Sequence, residues 1–374
     1  MSAPSTAGPA AGTALVVGGS LSGLMAALGL ARLGIDVTVL ERAPADRRSG
    51  AALGNAEGNL HRLFGPAGLA GPDARSALEG RPTTLQTWQQ ANDLLRTAAA
   101  ADPRVTLEHQ ATVADVGQDD DGAWARTTTG VTHRADLVLG ADGHRSVVRR
   151  AVAPHAPRAQ YAGYVVWLCI ADERELGSVT RWPRSLDILD AGSDCLLGYP
   201  LDAEDGSPEP GGRRLGWAWL DPRRTPLLEA SGCVRDGEVQ HSMRARDVPD
   251  DVLDQLVREA GEWQAPWREA VRACLRRRAV TGTPVAEYLP DRLAHGRIAI
   301  IGDAAHVSTP MTGRGFTQAL DGIEVLVEEL AGRAAGDVVD ALAAYERRCL
   351  EPARRLVLSG MSFSKSFAPD HPHG

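Results

Sequence analysis

The sequence predicts an α/β protein: a parallel sheet wound by helices, interrupted by an inserted mixed β-sheet and closed by C-terminal helices. Three observations predict it. The chain opens on a strand, a glycine turn, a helix and a second strand that ends in an acid. Two later apolar runs, 137–139 and 298–301, each deliver a glycine and an aspartate to what reads as the carboxyl edge of a sheet, where α/β folds bind ligands. Between them, residues 161–280 change to alternating, aromatic-rich segments that suit a sheet with two different faces.

Ala14-Leu15-Val16-Val17 is a continuous apolar run, as in a parallel strand buried on both faces. Gly18, Gly19, Ser20, Leu21, Ser22 and Gly23 form the turn, Leu21, Leu24, Met25 and Leu28 follow at helical spacing, and Gly34 ends the helix. The second strand runs from Ile35 to Leu40 and closes on Glu41. A glycine turn followed about 20 residues later by an acid, in this context, is the dinucleotide-binding unit of a Rossmann-like domain. Glu41, with Arg42 beside it, is placed to hold ribose hydroxyls. Ser20 stands where the middle glycine is usual, so a pyrophosphate must accommodate its hydroxymethyl or use its hydroxyl as a donor.

Arg47 lies six residues past Glu41, and either reaches an adenylate or pyrophosphate or is half of a solvated pair with Arg48. A helix is expected at 60–64 and another from Trp88 to Ala101. Val105 to Val116 and Trp124 to Thr129 flank Asp119-Asp120-Asp121-Gly122, which reads as a hairpin turn because no second ligand group accompanies the acids. Asp142 and Gly143 end the first later strand, followed by Ser146 and Arg149; Gly302, Asp303 and Ala304 end the second. After a loop containing Pro310 come Gly313, Arg314 and Gly315, then Phe316, Leu320, Ile323, Val327 and Leu330 at helical spacing. A helix start exposes N–H groups and a positive dipole end. With the Asp303 carboxylate for a polyol and this helix start for a ring that becomes anionic on reduction, a flavin's needs are met.

The net charge of −8 and the lack of a basic block exclude nucleic acid and an anionic membrane as expected partners. No apolar run approaches the roughly 20 residues of a membrane span, and the chain reads as cytoplasmic. Its five cysteines are widely spaced without a CxxC, as expected for free thiols. His61, His109, His133, His144, His155 and His241 show no metal-ligand spacing, and no metal is expected.

Taken together, GGSLSG with Glu41, GADGHRSVVR and GDAAHVSTPMTGRG occur in the order and spacing of the class A flavoprotein aromatic hydroxylases. The chain resembles that family, whose members share the para-hydroxybenzoate hydroxylase fold. Thr87-Trp88, 160–167, 197–200 and 212–219 are similar to segments of its dihydroxypyridine hydroxylase subgroup, whereas the loop Pro310-Met311-Thr312-Gly313 follows the general hydroxylase pattern. The helix around Trp88 lacks the arginine that many members place on the FAD pyrophosphate.

The resemblance implies non-covalent FAD, reduced by transient NADPH or NADH, with O2 added to the reduced ring so that a hydroperoxide hydroxylates an electron-rich aromatic or N-heteroaromatic small molecule. It places Asp303 on the ribitol, Asp142 and Gly143 on the diphosphate side, the 313–315 N–H groups on the reduced ring, and Pro310 over it. His306 then lies near the flavin, holding the loop or doing acid/base work. Tyr164, Trp167, Tyr199, Trp217 and Trp219 are candidates for a flat aromatic pocket, against the plain alternative of core.

Two other activities stay open, epoxidation or Baeyer–Villiger oxidation of a natural-product scaffold and a non-catalytic FAD protein. Trp217-Ala218-Trp219-Leu220-Asp221-Pro222 also resembles a flavin halogenase signature, but such enzymes need an active-site lysine and Lys365 is the one lysine in the chain.

The expected domains are a floppy lead-in at 1–12, an FAD-binding domain at 13–160 and 281–331, with 73–97 lending part to the substrate domain, and a substrate domain at 161–280. C-terminal helices at 332–361 and a disordered tail at 362–374 complete it. Arg276-Arg277-Arg278 caps a helix end or draws in NAD(P)H phosphates. A monomer and a homodimer are both compatible with the sequence.

Overall fold

The computed structural model describes residues 12–45, 59, 62–63, 68–69, 87–177 and 182–372. Its first unit is β1 (Thr13–Val17), α1 (Leu21–Arg32) and β2 (Asp36–Glu41), followed by α2 (Trp88–Ala101) and β3 (Val105–His109). A small antiparallel sheet of β4 (Val113–Asp119), β5 (Gly122–Thr127) and β6 (Thr132–Ala135) leads to β7 (Leu137–Gly140). The second sheet is entered through the long β8 (Gln160–Asp172), then β9 (Asp187–Asp190), β10 (Cys195–Leu201) and β11 (Arg214–Asp221). A ribbon of β12 (Val234–Arg235) and β13 (Glu238–Val239), then β14 (Met243–Arg244), α3 (Asp250–Glu259) and α4 (Trp267–Arg276), precede β15 (Thr281–Glu287). The chain returns through β16 (Ala294–His295) and β17 (Ile298–Ile300) to α5 (Gly315–Leu330) and α6 (Val338–Phe367).

The first sheet has the order β16-β17-β7-β1-β2-β3, parallel throughout except for β16. Its strands are apolar without alternation because helices cover both faces, and β1, β7 and β17 are buried along nearly their whole length. Two glycines shape the first turn. Gly18 has φ +106°, and a Cβ on Gly23 would lie 1.8 Å from the Gly18 carbonyl oxygen, so only glycine lets α1 start this close to the strand it leaves. Thr87 caps α2, its hydroxyl accepting the Gln90 N–H at 3.2 Å while the Gln90 side chain accepts the Thr87 N–H at 3.1 Å, a reciprocal cap.

The second sheet has the order β14-β15-β8-β11-β10-β9. Because β15 pairs with β8 from Thr281↔Leu168 to Glu287↔Gln160, the inserted domain extends to 287 and does not end at 280. Of 73–97, the helical part belongs to the first domain, where Ala91, Leu94 and Leu95 join the core of α1; 73–86 lies outside the described residues. The expected tail is also corrected. α6 continues to Phe367, Ser364 and Ala368 are buried, and His371 Nε2 lies 3.0 Å from the Tyr161 carbonyl. Phe363 and Phe367 stack at 5.3 Å and both meet the Tyr164 ring edge-on, so residues past 361 close over the second sheet. Among the described residues no helix is long and apolar enough to cross a membrane.

Candidate functional site

A groove of about 500 Å³ runs across the carboxyl edge of the parallel sheet and collects the three separated motifs. Gly18, Gly19, Ser20, Leu21 and Ser22 wall one side, Glu41 and Arg42 one end, and Ala141, Asp142, Gly143, Asp303 and Gly315 the rest. The Glu41 carboxylate accepts the Gly19 N–H at 2.6 Å and the Ala43 N–H at 2.7 Å. Each oxygen keeps a second lone pair for a ligand hydroxyl. At the turn itself, the first intrahelical bond of α1 runs from Leu24 N–H to the Ser20 carbonyl, leaving the N–H groups of Leu21, Ser22 and Gly23 as orphan donors for an anion. Ser20 makes no side-chain cap, so its hydroxyl is not committed to the helix.

Asp303 lies deep in the fold yet its side chain is exposed, because the groove reaches down to it. Burial raises its pKa, with the Arg149 guanidinium opposing. Its carboxylate has no hydrogen-bond partner among the described residues, as befits an acceptor facing a polyol. Asp142 differs: its carboxylate accepts the Ser146 hydroxyl at 2.5 Å and the Val147 N–H at 2.6 Å. It therefore shapes the turn that presents Gly143, which has φ +82° and open space where a Cβ would sit. Gly313, at φ +59°, and Gly315 likewise face open space at the start of α5.

Arg149 locks the two aspartate turns together. It is fully buried, donates to the carbonyls of Ala304 at 2.7 Å, Asp303 at 2.8 Å, His144 at 2.9 Å and Pro157 at 3.3 Å, and lies 3.9 Å from the Tyr288 ring centroid. His306 does not line the groove. It is buried beside Gln318, Ala319 and Tyr345 on the α5 and α6 side, and burial lowers its pKa to about 4, so it is a neutral packing group. Pro310 is exposed and opens a single turn, Pro310–Thr312. That loop is held from behind: Thr309 hydrogen-bonds the Tyr164 hydroxyl, which lies 3.5 Å from Ser364 Oγ, and Ser364 donates to Glu287 at 2.8 Å.

The sequence understated the far end of the groove. α2 does bring an arginine there: Arg96 lines it with Trp88 and Asn92, anchored on the Ala45 carbonyl and Asp93. His109 and Arg145 line it too, and His109 Nδ1 is buried without a partner among the described residues, a polar atom that a ligand would satisfy. Arg47 lies outside the described residues. The donor set therefore fits FAD: orphan N–H groups and arginines for the diphosphate, Glu41 for a ribose, Asp303 for the ribitol and the start of α5 for the ring. Among the described residues no group of three His, Cys, Asp or Glu side chains could hold a metal ion.

The aromatic pocket needs correction. Trp167, Trp217 and Trp219 are at most 1% exposed and pack with Trp263, Trp267 and Leu256 beneath α3 and α4, so they are core. Pairing Trp219↔Trp167 and Ala218↔Leu168 puts the opposite parity on the other face. There Tyr164, Val166 and Leu220 cluster with Leu168, Leu197, Ala218 and Met311 of the loop. Tyr199 belongs to this face as well, its ring lying over Gly216, where a Cβ would sit 1.9 Å from it. Of the five candidates, Tyr164 and Tyr199 remain on the face that meets the cofactor loop.

The profile of the FAD binding domain family matches residues 12–86 and 244–359. The chain is 28% identical over 370 residues to aurachin C monooxygenase/isomerase of Stigmatella aurantiaca, covering 92% of this chain and 87% of that protein. It is 27% identical over 397 residues to 2,6-dihydroxypyridine 3-monooxygenase of Paenarthrobacter nicotinovorans, covering 96% and 93%. Among solved structures, 2,6-dihydroxypyridine-3-hydroxylase from Arthrobacter nicotinovorans superimposes with a TM-score of 0.76 at 22% identity, covering 98% of this chain and 95% of that one.

Proposed function

Because the chain belongs to the FAD binding domain family, we propose that it is an FAD-dependent monooxygenase that uses NADPH or NADH and O2 to hydroxylate an electron-rich aromatic or N-heteroaromatic small molecule. The observation that carries this reading is the single groove in which Gly18–Ser22, Glu41, Gly143, Asp303 and Gly315 meet. When bound, FAD supplies the redox and oxygen chemistry. The chain's own residues bind, orient and exclude water. The start of α1 takes the diphosphate, Asp303 the ribitol hydroxyls, and the start of α5 stabilises negative charge at the ring edge. The turn at 309–313, tied down by Tyr164, closes one side of the reaction space against the second sheet.

The sheet face opposite that turn presents Val166, Leu168 and Ile170 on β8 and Gly216, Ala218 and Leu220 on β11, a stretch without a charge. Within that stretch a carboxylate would meet no cation, since Arg214, the next residue of the same face on β11, is drawn to the Asp202 carbonyl at 3.0 Å, and an unpaired buried charge is strongly disfavoured. Flat neutral rings therefore suit the face better than benzoates. The similarity to 2,6-dihydroxypyridine 3-monooxygenase agrees with this, while the similarity to 3-amino-4-hydroxybenzoate 2-monooxygenase of Streptomyces cremeus, at 28% identity, makes benzoates the comparison the test needs.

The test is a visible spectrum of the purified protein, then NADH and NADPH oxidation with hydroxypyridines, phenols and hydroxybenzoates and identification of the product. A flavin spectrum, substrate-stimulated reduction and a ring-hydroxylated product are expected, with the hydroxypyridines ahead of the benzoates. A colourless protein that does not take up FAD overturns the reading. An epoxide or ring-expanded ester as product moves the assignment to the other oxygenation chemistries on the same scaffold.

A further inference from the structure

A second groove, of about 570 Å³, lies between α5 and α6. α5 is the wall it shares with the FAD groove: Phe316 and Ala319 face the one, Gln318, Gly322 and Val325 the other. Three guanidinium groups line the second groove, Arg314, Arg348 and Arg355, against the single carboxylate of Asp321. Asp321 is itself held by Arg62 at 2.6 Å. On a protein with a net charge of −8, a cationic groove concentrates anions from solution.

The three arginines are not equivalent. Arg348 is engaged by Glu328 at 2.8 Å and Glu329 at 2.7 Å. Arg314 and Arg355 are exposed, and their side chains have no hydrogen-bond or ion-pair partner among the described residues. Between them stands Pro352, inside α6. A proline lacks the N–H that would bond the carbonyl four residues earlier, so the Arg348 carbonyl loses its usual intrahelical partner on the same helix. Two unpaired guanidiniums, in a groove of about 570 Å³ that exceeds what a single phosphate fills, suit a diphosphate flanked by sugar hydroxyls.

We propose that this groove docks the diphosphate and adenosine end of the nicotinamide dinucleotide, with Arg314 and Arg355 on the phosphates. The proposal rests on the reading above that the protein draws electrons from NADPH or NADH. The groove opens at Thr312 and Arg314, immediately before Gly315, which lines the FAD groove. A donor held here has its nicotinamide end directed to the turn that both grooves share. No second nucleotide-binding sheet exists among the described residues, so a site formed between two helices also explains how a donor could come and go within one turnover.

The test uses the FAD-loaded protein and two variants that place a carboxylate on the exposed groove wall, the charge-reversing Arg355→Glu and the charge-adding Ser359→Glu. Glutamate is a good helix former, so both are expected to fold. Calorimetric titration with ADP is expected to show binding by the wild type that is weakened at least tenfold in Arg355→Glu. Anaerobic stopped-flow reduction is expected to show the same rise in Kd for NADPH or NADH, with the limiting rate within twofold of wild type and dithionite reduction unchanged. The salt dependence of Kd should flatten as one phosphate contact is lost. Nucleotide affinity unchanged in both variants overturns the groove assignment and leaves the monooxygenase reading intact. Loss of ADP binding without any change in the Kd for NADPH or NADH overturns it as well, since the groove would then hold a nucleotide other than the reductant. A wild-type protein that carries FAD yet is reduced by neither nucleotide overturns the functional reading and this proposal with it.

Discussion

Replacing Arg149 with methionine tests whether the two aspartate turns are held as one unit. Methionine keeps much of the apolar stem and removes four donors, those to Ala304, Asp303, His144 and Pro157. A hydrogen bond from a charged donor contributes about 1.5–3 kcal/mol, so four of them amount to about 6–12 kcal/mol. The substitution also abolishes the cost of desolvating a fully buried cation, which is several kcal/mol. The expected net loss is about 3–5 kcal/mol, the range seen when one member of a buried charged network is removed.

Two of the four bonds fix the backbone of Asp303 and Ala304, so FAD should be affected beyond the loss of stability. A Kd at least tenfold weaker corresponds to about 1.4 kcal/mol. Urea titration of the FAD-loaded protein measures the first quantity, and flavin fluorescence quenching on titration of the apoprotein measures the second. Lysine at this position has three donors but no planar fork, and should recover part of the stability and little of the FAD affinity. A methionine variant that loses less than about 1 kcal/mol and binds FAD normally would refute the idea that Arg149 couples the two turns.

Asp303→Ala should weaken FAD by about 1.5–3 kcal/mol, the value of a charge-assisted bond, while the apoprotein keeps its urea midpoint because the carboxylate has no protein partner; fluorescence titration beside urea unfolding checks both. In the folded protein burial lowers the His306 pKa from 6.5 to about 4, so its contribution is fully present above pH 6.5 and is lost as pH falls through 4. At 1.36 kcal/mol per unit that loss is about 3 kcal/mol, and His306→Gln should flatten the stability profile across that window. The slope should be reduced but not abolished, since burial and nearby arginines lower His144 to about 4 as well. Trp217→Ala should cost about 3–5 kcal/mol as a core deletion, whereas Leu197→Trp, on the opposite face, should leave folding near wild type and raise the KM for the aromatic substrate. The reverse pattern would return the tryptophans to the pocket.

The cofactor half of the site was legible because its chemistry is local. A glycine turn, a helix start and an acid at the end of a strand each occupy a few consecutive residues, and the parallel sheet aligns their carboxyl ends without further instruction. Asp142 shows where local reading stops. Its neighbours Ser146 and Val147, four and five residues on, capture the carboxylate, and a strand-end aspartate that binds a ligand has the same sequence context as one that caps its own turn. Arg96 and His109 were hidden for another reason: whether they reach the groove depends on how α2 rotates on α1 and on where β3 ends beside Glu41, which are packing outcomes.

The substrate sheet was read with the correct period, but its candidates came from both faces, Tyr164 and Tyr199 from one and the three tryptophans from the other. Alternation in Tyr164–Ile170 and Leu215–Leu220 separates two sets of side chains but does not say which set meets the cofactor, because both faces of this sheet are covered. The helices α3 and α4 cover one side, and the three tryptophans fill that layer. A ligand needs the space that a large side chain would occupy, so the face proposed to meet the substrate is the one where Gly216 and Ala218 alternate with Trp217 and Trp219. In a sheet covered on both faces, the small residues between the aromatics mark the binding side better than the aromatics do. Gly313 and Gly315 in the cofactor loop differ from Gly216, which the Tyr199 ring covers, in that open space stands where their side chains would be.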